Sequence, residues 1–517
     1  MIDEKKIMQK SKKDLKLLFI NPCLRPGGFT KLLPVGLASV MTYFETKDYD
    51  FTLLDVDVDN LDDTSVENYI KNNHFDIILT GTIVTHYKWT KWFVNMTKKH
   101  QPDSKIIVGN SVAGSIPEVF LENAKADIVV IGEGEISAYE SVEAIRLGKD
   151  LKDIQGIAFR DNGRTVVKNA PRKVGNINDF PFINWDHFDI DRYITQPETF
   201  PDKDAKPEDM RAMPVITARG CAFRCSFCHF VFWDDPYRNR SAKSVLAEIK
   251  QLQEKYTVKY INFWDDLSFA SAIQMDRFCD EIIASGLKFK WIASVRVDLF
   301  SRGRLEGANA LKVAKKMKEA GCYSVGFALE SGNPEILKMM NKEIEVEAFY
   351  ETVHTLREAE VICQTTVLFG YPIETKETIK ETFDQCLKAG LYPSIGFLMP
   401  LPYTVMYDYA KANGFITDED RYLESITERQ DICLNMTKMS DKEIMNEIKI
   451  GAAKLNEMLD LGLTEETYIR TKGYKNRLDN KKKQRPRLDP DNLERNENDV
   501  SFNYAQTDFK FEEQPNT

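Results

Sequence analysis

Three cysteines set the chemistry open to this 517-residue chain: Cys221, Cys225 and Cys228, in the stretch Cys-Ala-Phe-Arg-Cys-Ser-Phe-Cys. Gaps of three and then two residues let a short loop wrap a cubane and offer each thiolate a different iron. A four-iron cluster ordinarily takes four cysteines. The loop supplies three, so one iron stays open for a small molecule. Zinc is the alternative: a structural zinc takes four protein ligands, a catalytic one three plus water. Zinc-binding Cys pairs are normally answered by a second pair, which is missing here, although His229 is placed to complete a set. The other cysteines, Cys23, Cys279, Cys322, Cys363, Cys386 and Cys433, stand singly and read as core residues.

The loop opens a region, 213–404, of six β-rich runs separated by helical stretches: Val215–Ala218, Tyr260–Phe263, Trp291–Val295, Ser324–Ala328, Gln364–Phe369 and Ser394–Leu398. Six βα units are too few for a closed eight-stranded barrel, which leaves an open partial barrel. Polar residues recur where these runs end: Asp265-Asp266, Arg296 and Asp298, Glu330-Ser331-Gly332-Asn333, and Gly370-Tyr-Pro372-Ile-Glu374. Any one of them can be a helix cap, and Asn333-Pro334-Glu335 looks like one, with Pro at the first helical position. Recurrence at successive strand ends points instead to a ligand.

Residues 1–148 alternate apolar runs (Leu17–Ile20, Phe51–Val56, Asp76–Thr80, Lys105–Val108, Asp127–Ile131) with helical segments. Nearly continuous apolar strands belong to a parallel sheet covered on both faces, so this part reads as a doubly wound α/β domain with its ligand beyond the strands' carboxyl ends. Those ends carry turn residues: Asn21-Pro22, Gly27-Gly28, Thr80-Gly81-Thr82, Gly109 to Ser115, and Gly132-Glu-Gly134-Glu135. No strand-linked G-x-G-x-x-G occurs, which disfavours a dinucleotide. A connector, 149–212, holds a hairpin with an Asn162-Gly163 turn, packing residues Trp185 and Tyr193, and a Pro/Asp-rich loop. Residues 405–472 read as helical, with helices at Met406–Asn413 and Lys442–Leu461. Residues 473–517 are Lys-, Asn- and Asp-rich and are expected to be disordered.

The Cys loop, with Phe227 just before its last cysteine, resembles the cluster loop of radical S-adenosylmethionine (SAM) enzymes. Gly326-Phe-Ala-Leu-Glu-Ser-Gly-Asn-Pro-Glu-Ile-Leu-Lys338 is similar to the family's strand-four segment, and Phe369-Gly-Tyr-Pro-Ile-Glu-Thr375 to its strand-five segment. Met399-Pro-Leu-Pro402 resembles the end of strand six, but Tyr403-Thr404 follows where the family often has Gly-Thr. The resemblance implies a 4Fe-4S cluster on Cys221, Cys225 and Cys228. Its open iron would chelate SAM, and one electron would split SAM into methionine and a 5′-deoxyadenosyl radical. Implied SAM contacts are Phe227, Asp265, Asp266, Arg296, Glu330, Ser331 and Gly370, with the aspartates for the ammonium and a cation for the carboxylate.

The first domain resembles the cobalamin-binding domain fused ahead of many radical SAM cores. The likeness lies in the order of units, in Asn21-Pro22, in Gly109…Gly114-Ser115 and in Asp127-Ile-Val-Val-Ile-Gly-Glu-Gly-Glu135. Implied cobalamin contacts are Asn21, Thr82, Gly109, Ser111, Gly114, Ser115, Gly132 and Glu133. None of the six His residues stands in an Asp-x-His-x-x-Gly context, so no His is expected beneath the cobalt, and His86 reads as a polar loop residue. The pair of domains implies methylation of an unactivated carbon or phosphorus centre in a small molecule, a second SAM restoring the methyl donor. A radical cyclisation or rearrangement, with cobalamin structural or absent, is the alternative, and a non-catalytic iron–sulfur redox module is a third. An electron donor such as flavodoxin or ferredoxin is implied.

Composition fits these readings. With 43% hydrophobic and 29% charged residues the chain is of the globular type. A net charge of −10 gives no sign of nucleic-acid binding, and the basic run Lys481 to Arg487 reads as a solvated tail. No apolar run is long enough for a membrane span. The start, Met1-Ile-Asp-Glu-Lys-Lys, lacks a signal peptide's apolar stretch. An odd cysteine count with three in one loop argues for a reducing cytoplasm.

Overall fold

The computed structural model describes residues 10–25, 31–161, 165–173, 175–194, 210–229, 236–300 and 310–469. The expected tail, the Pro/Asp-rich loop, Gly27-Gly28 and the Asn162-Gly163 turn lie outside these.

The first sheet has seven strands: β1 Leu17–Asn21, β2 Thr52–Asp55, β3 Ile77–Gly81, β4 Lys105–Gly109, β5 Ile128–Val130, β6 Ile157–Asp161 and β7 Thr165–Lys168. Their order is β2-β1-β3-β4-β5-β6-β7, with the first five parallel and the last two antiparallel additions. Every residue of β1 is buried, as a strand covered on both faces requires. Parallel neighbours need crossovers, and helices such as Val35–Glu45 and Gly134–Leu147 supply them. The hairpin read as part of the connector instead extends this sheet, because its apolar Ile157, Ala158 and Phe159 pair with β5 and are buried.

The second sheet is a curled parallel half-barrel: β8 Ala212–Val215, β11 Tyr260–Phe263, β12 Lys290–Ser294, β13 Cys322–Glu330, β14 Ile362–Phe369 and β15 Ser394–Phe397, in the order β15-β14-β13-β12-β11-β8. β8 begins earlier than the sequence suggests and contains Pro214. It is an edge strand, the place where a strand tolerates a missing N–H. The rest of the expected first strand forms β9 Ala218–Arg219, which pairs antiparallel with β10 Arg238–Asn239. This short ribbon is the neck from which the cysteine loop hangs. Behind the sheet, Trp291 is fully buried and its indole N–H donates to the Ala320 carbonyl at 2.8 Å.

Beyond the half-barrel run helices Val405–Ala412, Glu419–Ser425 and Asp441–Met458. The second returns to the first domain, where Asp420 accepts from the Tyr87 hydroxyl and from Lys91, both at 2.6 Å. The third lies on Lys376–Lys388 so closely that a Cβ on Gly451 would stand 2.2 Å from the Phe383 ring. No helix among the described residues is long and apolar enough to cross a membrane.

Candidate active site

The cysteine loop is fixed mainly through its backbone. Ser226 N–H donates to the Met340 carbonyl (2.8 Å), its hydroxyl donates to the Met339 carbonyl (2.9 Å) and meets the Tyr371 hydroxyl (3.1 Å), and its carbonyl accepts from Met406 N–H (3.0 Å). Asn341 donates to the Arg224 carbonyl at 2.8 Å. Segment 339–343, the start of helix Val405–Ala412 and the turn after β14 therefore hold one tetrapeptide, Cys225 to Cys228. Left-handed backbone at Asn341 (φ 50°) and Glu343 (φ 53°) lets that segment double back toward the loop.

All three thiols are free. Burial first, then the neighbouring Cys225, Asp266 and Cys221, together push the Cys228 thiol up to about 12, so the cysteines are near neighbours. Burial likewise raises Cys225, opposed by Lys342 and Arg296. Such thiols give up their protons only to a bound metal. Among the described residues no three His, Cys, Asp or Glu side chains converge as ligands of a single ion. His229 turns its Nδ1 to the Pro402 carbonyl at 2.6 Å. Three neighbouring thiols on one short loop suit a cubane, which needs each on a different iron.

The strand-end residues divide into two groups. Asp265 faces inward: its carboxylate accepts from Thr217 N–H (2.8 Å), Ala218 N–H (3.0 Å) and the Thr217 hydroxyl (2.6 Å). Burial raises it to about 6, and it ties β11 to the neck of the loop. Arg296 is also built in, against the expectation of a cation facing a ligand. Its guanidinium lies 3.7 Å from the centre of the Phe223 ring, pairs with Asp298 (3.0 Å) and donates to the carbonyls of Lys342 (2.7 Å) and Glu343 (2.8 Å). Ser331 is likewise internal, accepting from Asn333 N–H at 3.2 Å. Asp266 is exposed to the cavity described below, raised by burial alone. Glu330, at a left-handed φ of 63°, accepts from Lys342 at 3.1 Å, and that ammonium lies 5.8 Å from the Phe227 ring centre. Phe227 meets Tyr371 edge-on at 6.4 Å. Lys342 stands outside the motif segments, whereas Ser226 and Tyr371 lie within them, and their pairing with each other and with Met339 is set by the fold and leaves no signal in the spacing.

Gly370 adopts φ 100° and its N–H donates to Glu374 at 3.2 Å. Burial pushes the Glu374 carboxyl up to about 7, despite hydrogen bonds from Thr378 and Gly370. The folded value exceeds the unfolded one, so stability from this group is whole below the ordinary carboxylate range and is lost as pH rises through 7. Glu374→Gln should therefore gain on the wild type by about 2 kcal/mol between pH 5 and pH 8. A series of thermal midpoints across that range checks it; a deficit widening with pH would contradict it.

A cavity of about 320 Å3 lies between the two sheets. The first domain contributes Gly81, Gly109, Gly132 and Glu133, the second Ala218, Arg219, Trp264, Asp265 and Asp266. It also reaches between helix Val35–Glu45 and the sheet, past Gly36, Ser39, Phe19 and Ile107. A Cβ on Gly36 or Gly132 would meet nothing within 4 Å, so both glycines leave open space. Next to Gly81, the buried Thr82 hydroxyl has no partner among the described residues. Thr82 itself is not among the lining residues; the slot, open at its glycines, fits a large ligand, as cobalamin is.

The other residues read as cobalamin contacts are not in this wall. Asn21 donates to Asp55 and to the Tyr193 hydroxyl, both at 2.9 Å. Ser111 accepts from Val84 N–H at 3.0 Å, and the Ser115 hydroxyl donates to the Ser111 carbonyl at 2.5 Å. Gly114 is required by packing, since a Cβ there would stand 2.8 Å from the Val130 carbonyl. Gly114→Ala should thus lower stability by about 1–3 kcal/mol while cobalamin still binds, which thermal melts and cobalt analysis would separate. His86 is half-buried and held at about 4, chiefly by desolvation, and stays neutral.

Residues 215–386 match the radical SAM superfamily model and residues 30–141 the B12 binding domain model. An uncharacterised methyltransferase of Pyrococcus horikoshii is 28% identical over 74% of this chain and 79% of its own. The anaerobic magnesium-protoporphyrin IX monomethyl ester cyclase of Cereibacter sphaeroides is 25% identical over 79% of this chain and 66% of its own. In fold, the chain is similar to the radical SAM methyltransferase TsrM of Kitasatospora setae in a structure with cobalamin and cluster bound (TM-score 0.60, 18% identity, covering 78% of this chain and 75% of that one). The chain belongs to the radical SAM enzymes that carry a cobalamin-binding domain, whose cofactors are a 4Fe-4S cluster, SAM and cobalamin.

Proposed function

We propose that the protein methylates an unactivated carbon or phosphorus centre of a small molecule. The observation that carries this reading is the cavity walled by both domains, with the strand-end glycines on one side and Asp266 and the neck of the cysteine loop on the other. A cavity so placed brings substrate to two cofactors at once. The methyltransferase of Pyrococcus horikoshii, similar over most of both chains, supports methyl transfer. When bound, the cluster and SAM supply a hydrogen-abstracting radical, and cobalamin supplies the methyl group.

The chain's own residues have four tasks. Cys221, Cys225 and Cys228 hold the cluster, and the hydrogen bonds around Ser226 keep the loop in one shape. Lys342, buried beside Cys225 and paired with Glu330, takes the SAM carboxylate in place of Arg296, while Asp266 takes the ammonium. Strand-end glycines receive cobalamin. The apolar wall of Phe180, Phe182 and Trp264 keeps water from the reacting centre.

The test is oxygen-free protein loaded with iron, sulfide and cobalamin, given methyl-deuterated SAM, a strong reductant and small-molecule extracts. A deuteromethylated product should form with deoxyadenosine and S-adenosylhomocysteine in equal amounts. Deoxyadenosine with no methylated product would sink this reading. It would favour a radical cyclisation instead, the alternative to which the similarity with the cyclase of Cereibacter sphaeroides points.

A further inference from the structure

The neck of the cysteine loop contains an arrangement that the local fold alone does not explain. In the ribbon of β9 and β10, Arg219 stands directly opposite Arg238. Like charges so placed repel and destabilise a strand pair. An anion between them removes the penalty, and the first domain provides it. Glu133 Oε1 lies 3.1 Å from Arg219 Nη1 and 2.7 Å from Arg238 Nη2. Arg219 Nη2 also meets Glu135 Oε1 at 2.7 Å, and that oxygen accepts from the Ser39 hydroxyl at 2.7 Å. Both glutamate side chains are only 5% exposed. Burial alone would raise the Glu135 carboxyl, but Arg219 outweighs it and holds the group below its ordinary value.

Each end of this network is anchored. Glu133 and Glu135 begin helix Gly134–Leu147, where its positive end favours carboxylates. Arg219 rests on the Phe180 ring, 5.1 Å from its centre, and stands two residues before Cys221. Two arginines and two glutamates balance in charge, so burial leaves no net ion. A bidentate guanidinium between two fixed carboxylates sets position more narrowly than apolar contact does.

We infer that Arg219 and Arg238, held by Glu133 and Glu135, fix the cysteine loop against the first domain and so set the separation of the two cofactors. They are positioning residues, and the inference rests on the two-cofactor reading above. An error of about 1 Å between reacting centres costs roughly 100-fold in rate. Loosening the clamp should therefore uncouple the chemistry: SAM is still cleaved, but methyl transfer falls.

Pulsed EPR on the full chain, with the cluster reduced and cobalamin as cob(II), reads the separation without substrate. The wild type should give one narrow distance. Arg219→Gln should keep its iron and cobalt but give a broadened or displaced distance, with methyl transfer down about 100-fold and SAM cleavage down less than about 3-fold. Arg219→Lys should restore part of both. Unchanged distance and coupling in Arg219→Gln would overturn the inference. If that variant fails to fold, Arg238→Gln, which loosens the same clamp from outside the cavity wall, is read by the same criteria. A wild type that binds no cobalt would sink the two-cofactor reading instead. The clamp is then judged by hydrogen exchange at 132–135 and 218–219, where protection unaltered by Arg219→Gln overturns it.

Discussion

Cys225→Ala should yield a folded protein that holds little iron and cleaves SAM at least about 100-fold more slowly, since disturbing even the outer partners of a metal ligand costs 10- to 100-fold. The side chain is 9% exposed and small, and the loop's shape does not depend on it. Ser226 beside it carries the hydrogen bonds to Met339, Met340, Tyr371 and Met406. Removing the sulfur therefore leaves the loop in place with two ligands, and a cubane held by two thiolates is not retained. Cys386, buried in helix Lys376–Lys388 and far from the loop in sequence, is the control. Cys386→Ala should lower the thermal midpoint yet keep its iron. Iron and sulfide analysis with deoxyadenosine assays reads both variants. Undiminished turnover by Cys225→Ala would end the cluster reading.

The elements were legible because the physics that makes them is local. Buried parallel strands read as apolar runs, and Tyr260–Phe263 falls where it was expected. The first half-barrel strand lies earlier than the apolar run Val215–Ala218 suggests, and Pro214 within it is tolerated because β8 is at the sheet's edge. The cysteines were legible because spacing along the chain is itself the signal. Arg296 and Asp265 show the limit. Their types and their places at strand ends suit a ligand, but the direction of each side chain is set by partners far along the chain: the carbonyls of Lys342 and Glu343 for one, the Thr217 backbone for the other. Lys342 shows the converse. A lysine in a charged stretch looks like solvated surface until β13 and segment 339–343 enclose it with Glu330.

That enclosure gives the second large effect. Lys342 and Glu330 are 8% and 7% exposed, and removing one partner from a buried ion pair costs about 3–5 kcal/mol, because the other is left charged without compensation. Lys342→Met should therefore depress the thermal midpoint strongly. The double variant Lys342→Met, Glu330→Met replaces the pair with unbranched apolar chains of similar reach, and such replacements are often neutral or stabilising. Its midpoint should return close to the wild type. SAM affinity should not return with it. A charged hydrogen bond contributes about 1.5–3 kcal/mol, so loss of the Lys342 ammonium should weaken SAM binding by roughly 10- to 100-fold in both variants, measured by anaerobic titration of the cluster-loaded protein. If the double variant is stable and binds SAM as the wild type does, Lys342 serves the fold alone, and the cation for the SAM carboxylate must be sought elsewhere in the site.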